Sequence, residues 1–258
     1  MKYCLIPDPV DRARPQNYHE RTGHVLPEQN NLLHFYIRDS EQFVSQNLMV
    51  LNKQKTKVIS FTKSRKWDFP PEVCFSDGTL IECVPETRLV GVVVSQDLKW
   101  FKNTAYICDK ARSKLWILRR MLKMNLDIYQ LFDVYTKEIR FILEMAVPVW
   151  HSGLTNKQTA DIESIQKVAM QIILQENYIN YAFASTKFES QTLEERRSKL
   201  CYRFATKNLK SENSFFTRVG TTVNTRNKSD IVKEYKCNFG RFYDSSLPYL
   251  ARLINSKK

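Results

Sequence analysis

Apolar residues along this chain recur with two different periods, and the change of period divides it. Over residues 29–51, Leu32, Leu33, Tyr36, Ile37, Phe43 and Val44 fall mostly on one stripe, which predicts a helix that stops between Asn47 and Asn52. From 57 to 94 the period shortens. Val58-Ile59-Ser60-Phe61 reads as a short strand. Val73-Cys74-Phe75 and Leu80-Ile81-Glu82-Cys83-Val84 flank Ser76-Asp77-Gly78-Thr79, and an Asp-Gly pair between β-prone runs predicts a hairpin. The unbroken apolar run Leu89 to Val94 predicts a strand buried on both faces, with Gly91 permitting close backbone approach.

From about residue 103 the spacing becomes helical and stays so. Ile107, Ala111, Leu115, Leu118 and Leu122 form the apolar side of a first helix, and Lys110, Arg112, Lys114, Arg119, Arg120 and Lys123 its opposite side. Ile128, Leu131, Phe132, Tyr135, Ile139, Ile142 and Leu143 predict a second helix, ended or kinked by Pro148. Ile162, Ile165, Ala169, Ile172 and Ile173 predict a third. Leu193, Leu200, Phe204 and Leu209 predict a fourth, with Arg196, Arg197, Lys199 and Arg203 outward. Residues 211–246 show little periodicity and read as loop-rich, before a short apolar tail from Leu247 to Ile254. Residues 1–28, with Pro7, Pro9, Pro15 and Pro27, read as a polar arm. The expected fold class is α+β. A small antiparallel sheet with one helix occupies 29–100, an all-helical bundle 101–210, and a basic extension 211–258.

Charge sharpens this picture. Forty Lys and Arg against 27 Asp and Glu leave the chain at +13. The excess lies in blocks: residues 53–66 carry six basic and no acidic groups, 99–140 ten and four, and 187–258 sixteen and seven. Blocks of one sign suit a linear polyanion, so nucleic acid is the expected partner; a merely solvated basic surface is the bland alternative. The six cysteines form no Cys-x-x-Cys pair and no zinc-ligand spacing, and read as free thiols. His19 and His24 read as surface-loop residues, so no metal site is expected. The N-terminus lacks a long apolar core, and no apolar run approaches the ~20 residues that span a bilayer. The expected location is nuclear or cytoplasmic, not secreted, with no membrane partner.

Specific residues then carry a resemblance. Asn52-x-x-Lys55-Thr56, followed by Phe61, looks like the Asn-x-x-Lys-Thr-x-x-x-x-Phe element of non-LTR (LINE-type) retrotransposon reverse transcriptases. Val90-Gly91 with Gln96-Asp97-Leu98-x-Trp100 resembles the family's Leu-Gly-x-x-x-Asp-x-x-Leu-x-Trp strand, its primer grip. The resemblance continues through Ala111 to Leu122, Leu131-Phe132-x-x-Tyr135, Leu143-Glu144-Met145-Ala146-Val147-Pro148-Val149-Trp150, Ile162-Glu163-x-Ile165-Gln166-x-x-Ala169 and Leu193-x-x-Arg196-Arg197-x-x-Leu200. It implies the end of a palm at 29–100, a thumb at 101–210 and a C-terminal extension.

The departure is chemical. The family holds its catalytic metals on one Asp and an Ala-Asp-Asp pair upstream of the Asn-x-x-Lys-Thr element, and this chain has no Asp-Asp anywhere. Two-metal phosphoryl transfer needs those carboxylates. The resemblance therefore implies a truncated RNA-directed DNA polymerase, inactive alone and without cofactor, Mg²⁺ being expected only for a complete parent enzyme. Residual binding to an RNA–DNA hybrid, or pairing with the missing front half, is expected. By resemblance, Lys110, Arg112, Lys114, Arg119 and Arg120 contact phosphates, Gly91 lets a primer end pass, and Lys55 is a weak catalytic candidate. Lys55 reads equally as an exposed turn lysine. Trp100, Trp116 and Trp150 read as core or packing residues rather than stacking platforms. The alternative function is a non-enzymatic helical protein-interaction module derived from a thumb.

Overall fold

The computed structural model describes residues 2–3, 28–61, 72–211, 214–216, 232–237 and 240–256. The chain divides into two compact units, Met1–Leu98 and Lys99–Lys258. The first is mixed α and β with very short strands, and the second is mostly helical. Most of the polar arm, with His19, His24 and Cys4, lies outside the described residues, as does 217–231 of the C-terminal extension.

In the first unit, β1 (Lys2–Tyr3) precedes α1 (Glu28–Gln46). Leu33 and Ile37, four residues apart on one face of α1, are buried with Val58, Val73, Phe75 and Ile81 to form the unit's core. Tyr36 and Phe43, expected on the same stripe, are exposed instead. The helix ends at Gln46, at the edge of the expected Asn47–Asn52 stop. Leu48 turns left-handed at φ 54°, and the Met49 amide donates back to Val44 O at 2.9 Å.

The strand region departs from the expected single antiparallel sheet. Residues 57–61 split at Ile59 into β2 (Lys57–Val58) and β3 (Ser60–Phe61), and the two halves take different partners. β3 pairs antiparallel with β1, inside the segment expected to be a loop, while β2 pairs parallel with β4 (Glu82–Cys83). Two-residue strands bury too little to enforce one direction of pairing, so neighbouring core contacts decide it. The Asp77-Gly78 turn does form. Cys74 bridges Leu80, Phe75 N donates to Thr79 O at 2.9 Å, and Gly78 takes φ 80°.

The run Leu89 to Val94 is not one buried strand. It is a hairpin of β5 (Glu86–Leu89) and β6 (Val92–Ser95), with Leu89 opposite Val92. Val90 and Gly91 form the two-residue turn, at φ 46° and 83°. A turn of this hand matches strand twist but demands positive φ at both positions, which Gly supplies freely and a β-branched residue does not. Val90 is consequently 88% exposed.

The second unit begins with α2 (Phe101–Lys123), which buries Ile107, Ala111, Leu115 and Leu118. The expected second helix is α3 (Ile128–Val134), opened by a reciprocal Asp127–Gln130 capping box, then a π-helical stretch at Tyr135–Arg140, then α4 (Phe141–Glu144). It stops before Pro148. A proline there has no N–H for Glu144 O, so the chain breaks at Met145 and left-handed Ala146, and Pro148 sits in the first turn of α5 (Val147–Trp150). α6 (Asn156–Leu174) starts on a Thr155–Gln158 capping box and packs along α2. α7 (Tyr181–Lys187) follows, too short to show a period in the sequence. α8 (Leu193–Lys210) starts on Thr192, whose hydroxyl accepts from Glu195 N at 3.2 Å. After α9 (Gly240–Tyr243), the apolar tail becomes α10 (Ser246–Ser256), packed on α8 and α5.

Candidate nucleic-acid interface

The candidate phosphate-binding residues all lie on α2, a helix of six turns pinned along its length by its buried side. At 100° per residue they do not form a single stripe. Lys110 and Lys114 flank the buried side on one edge, Arg112 and Arg119 flank it on the other, and Arg120 points opposite the core. Arg112 and Arg119 lie two turns apart and edge a shallow groove of about 280 Å³ against α6, floored by Leu115, Ile165 and Val168.

Their charges are mostly available. Arg112 pairs with Asp109 at 3.1 Å, one turn back, and Lys114 with Glu138 at 3.5 Å. Both are solvent-exposed pairs, worth ~1 kcal/mol at most, and a phosphate can displace such partners. The Lys110 ammonium stands 5.9 Å from the Tyr106 ring centroid. Arg119 and Arg120 are exposed and have no partner among the described residues.

The expected basic outer face of α8 is only half outer. Arg196 holds Glu144 through Nε and Nη2, the latter at 3.0 Å. Arg197 is fully buried, its Nε donating to His151 Nδ1 at 3.4 Å while its two terminal nitrogens have no hydrogen-bond partner among the described residues. Helical spacing places these two beside Lys199 and Arg203, but the side of α8 facing α5 is packed, and position alone does not reveal that. Burial, and then the neighbouring Arg197 charge, lower His151 to about 4, so the imidazole is neutral at ordinary pH and can accept that bond.

The other motif residues that carry the resemblance also hold the unit together. Tyr135 OH donates to Gln166 Oε1 at 2.7 Å. Gln166 Nε2 donates to Tyr181 OH at 2.7 Å and to Gln191 O at 3.1 Å. Tyr181 OH donates to Glu163, which also accepts from Leu193 N at 3.0 Å. Burial raises the Tyr135 and Tyr181 hydroxyls well above the usual phenol range, which keeps both as neutral donors. Trp150 is buried and donates through Nε1 to Met145 O at 3.0 Å.

Lys55 and Gly91 belong to the first unit. Asn52 Oδ1 accepts from Lys55 N at 3.1 Å, and Thr56 Oγ1 donates to Asn52 O at 3.1 Å, closing one tight 3-10 turn. The Asn and Thr of the Asn-x-x-Lys-Thr element thus shape the turn, and the Lys55 side chain is left exposed on it. Gly91 is the second turn residue of the β5–β6 hairpin, not a mid-strand glycine.

Trp100 and Trp150 are buried as expected, but Trp116 is 54% exposed on the solvent side of α2. The signal lay in the helical phase: Trp116 follows Leu115 and falls outside the Ile107–Ala111–Leu115–Leu118 stripe. Among the described residues, no three His, Cys, Asp or Glu side chains converge as metal ligands, and no helix is long and apolar enough to cross a membrane. Comparison with protein-family models, curated proteins and solved structures gives no match for this chain.

Proposed function

We propose that the second unit is a thumb-type nucleic-acid clamp of the non-LTR reverse transcriptase lineage, which grips an RNA–DNA hybrid through its phosphates along α2. The observation that carries this reading is the set of solvent-facing cations Lys110, Arg112, Lys114, Arg119 and Arg120 distributed around α2, a helix anchored by its buried stripe. Cations fixed along one firmly packed helix suffice for duplex held by shape and phosphate contacts, with no base readout. Polymerisation is not part of the proposal, because the sequence contains no Asp-Asp pair to hold two metals.

The test is the salt dependence of binding to an RNA–DNA hybrid. The triple charge reversal Arg112→Glu, Lys114→Glu, Arg119→Glu should weaken binding and flatten the plot of log affinity against log salt by about 3, at about 0.9 per lost phosphate contact. Unchanged slope and affinity would reject the clamp. A second reading, a protein-interaction module, is favoured by Phe35, Tyr36 and Phe43, which stand exposed on α1. That reading expects no affinity for the hybrid at any salt concentration.

A further inference from the structure

We propose that Trp116 is a stacking platform for an unpaired nucleobase, so that the α2 surface takes single-stranded nucleic acid, or a single-stranded end beside a duplex, in preference to continuous duplex. This rests on the clamp reading and narrows its substrate class. Three observations support it.

First, the ring is in the open. Trp116 is 54% exposed while the other two described tryptophans are buried, and its indole has no hydrogen-bonding or ring partner among the described residues. An indole left in water gives up apolar burial that Trp100 and Trp150 obtain, and its exposed ring surface can be covered by a stacked base.

Second, its helical neighbours are cations. Arg112 lies at i−4, Arg119 at i+3 and Arg120 at i+4, the positions whose side chains adjoin it on the helix surface, with Lys123 one further turn along. An aromatic ring bordered by guanidinium groups is the arrangement that holds a single strand, with base on ring and flanking phosphates on the cations. The acidic group nearest along the helix, Asp109, lies seven residues back and is paired with Arg112.

Third, the platform is firmly mounted. Leu115 and Leu118, on either side of it in sequence, are buried, so the helix under the ring does not need to rearrange to bind. A base inside a duplex has both faces covered by its neighbours and cannot reach the ring. A frayed, overhanging or single-stranded base can, and this difference sets the preference.

The test compares an oligo(dT) 12-mer with a blunt RNA–DNA hybrid of the same length, using the full chain and its Trp116→Ala and Trp116→Phe variants. The wild type should bind oligo(dT) at least as tightly as the blunt hybrid. Trp116→Ala should lose roughly 5- to 150-fold for oligo(dT), the range for one stacked base, and Trp116→Phe should retain most of the affinity. The salt slope should be the same in all three proteins, because no phosphate contact is removed, and thermal unfolding should be unchanged, because the side chain is exposed. If wild type and Trp116→Ala bind oligo(dT) within twofold of each other, the platform is refuted while the clamp stands. Equal losses for hybrid and oligo(dT) would also refute it, as would loss of self-association in Trp116→Ala, which would assign the ring to a protein contact. Failure of the wild type to bind either probe would refute the clamp and the platform together.

Discussion

The buried hydroxyl of Tyr135 offers a sharp test of how the second unit is held together. Tyr135→Phe removes one oxygen and keeps the ring, which lies against Phe132 with centroids 5.7 Å apart. The lost group donates to Gln166 Oε1 at 2.7 Å, and both residues have no exposed surface. Water cannot replace the donor, so the Gln166 oxygen is left buried without that partner, a cost of ~1–3 kcal/mol. For a unit of this size each kcal/mol lowers the melting temperature by roughly 2–4 °C, so the expected fall is about 2–12 °C. Urea titration should show a lower midpoint with an unchanged slope. Because Gln166 also donates to Tyr181 OH and Gln191 O, Gln166→Leu should cost more than Tyr135→Phe. The double variant should cost less than the two single variants combined, with a coupling of ~0.5–3 kcal/mol. If Tyr135→Phe stays within ~0.5 kcal/mol of wild type, in the range of an inert surface change, the network is not a structural element of this unit.

Two further predictions concern stability. His151 titrates near its ordinary value when unfolded but at about 4 when folded, chiefly through burial. The unfolded chain therefore binds the extra proton between about pH 6.5 and 4, and stability falls across that window by roughly 3 kcal/mol. Urea titrations across this pH range should show His151→Gln losing that slope, and an unaltered slope would contradict the assignment. In the first unit, Val90→Asn should stabilise the β5–β6 hairpin by ~1 kcal/mol, because Asn tolerates positive φ better than a β-branched residue. A lower urea midpoint in that variant would rule out the turn.

Much of the helical unit was legible because its period is long and repeated. Ile107, Ala111, Leu115 and Leu118 are spaced as a buried stripe and are buried as one. The strand region was harder to read. Continuous hydrophobicity from Leu89 to Val94 does not distinguish one buried strand from two short ones joined at Val90-Gly91, and strands two to four residues long take their partners from whatever core lies beside them.

The candidate site divides the same way. The basic side of α2 follows from local sequence, because a helix with one apolar stripe must turn its lysines and arginines to water. Whether a cation on α8 is free or spent depends on which helix lies across from it. Glu144 reaches Arg196 across a sequence separation of 52 residues, and packing against His151 encloses Arg197. Local periodicity thus determined the helices and the charged surface of α2. Only the tertiary packing decided that Arg196 and Arg197 are structural, because burial depends on contacts between residues far apart in the chain.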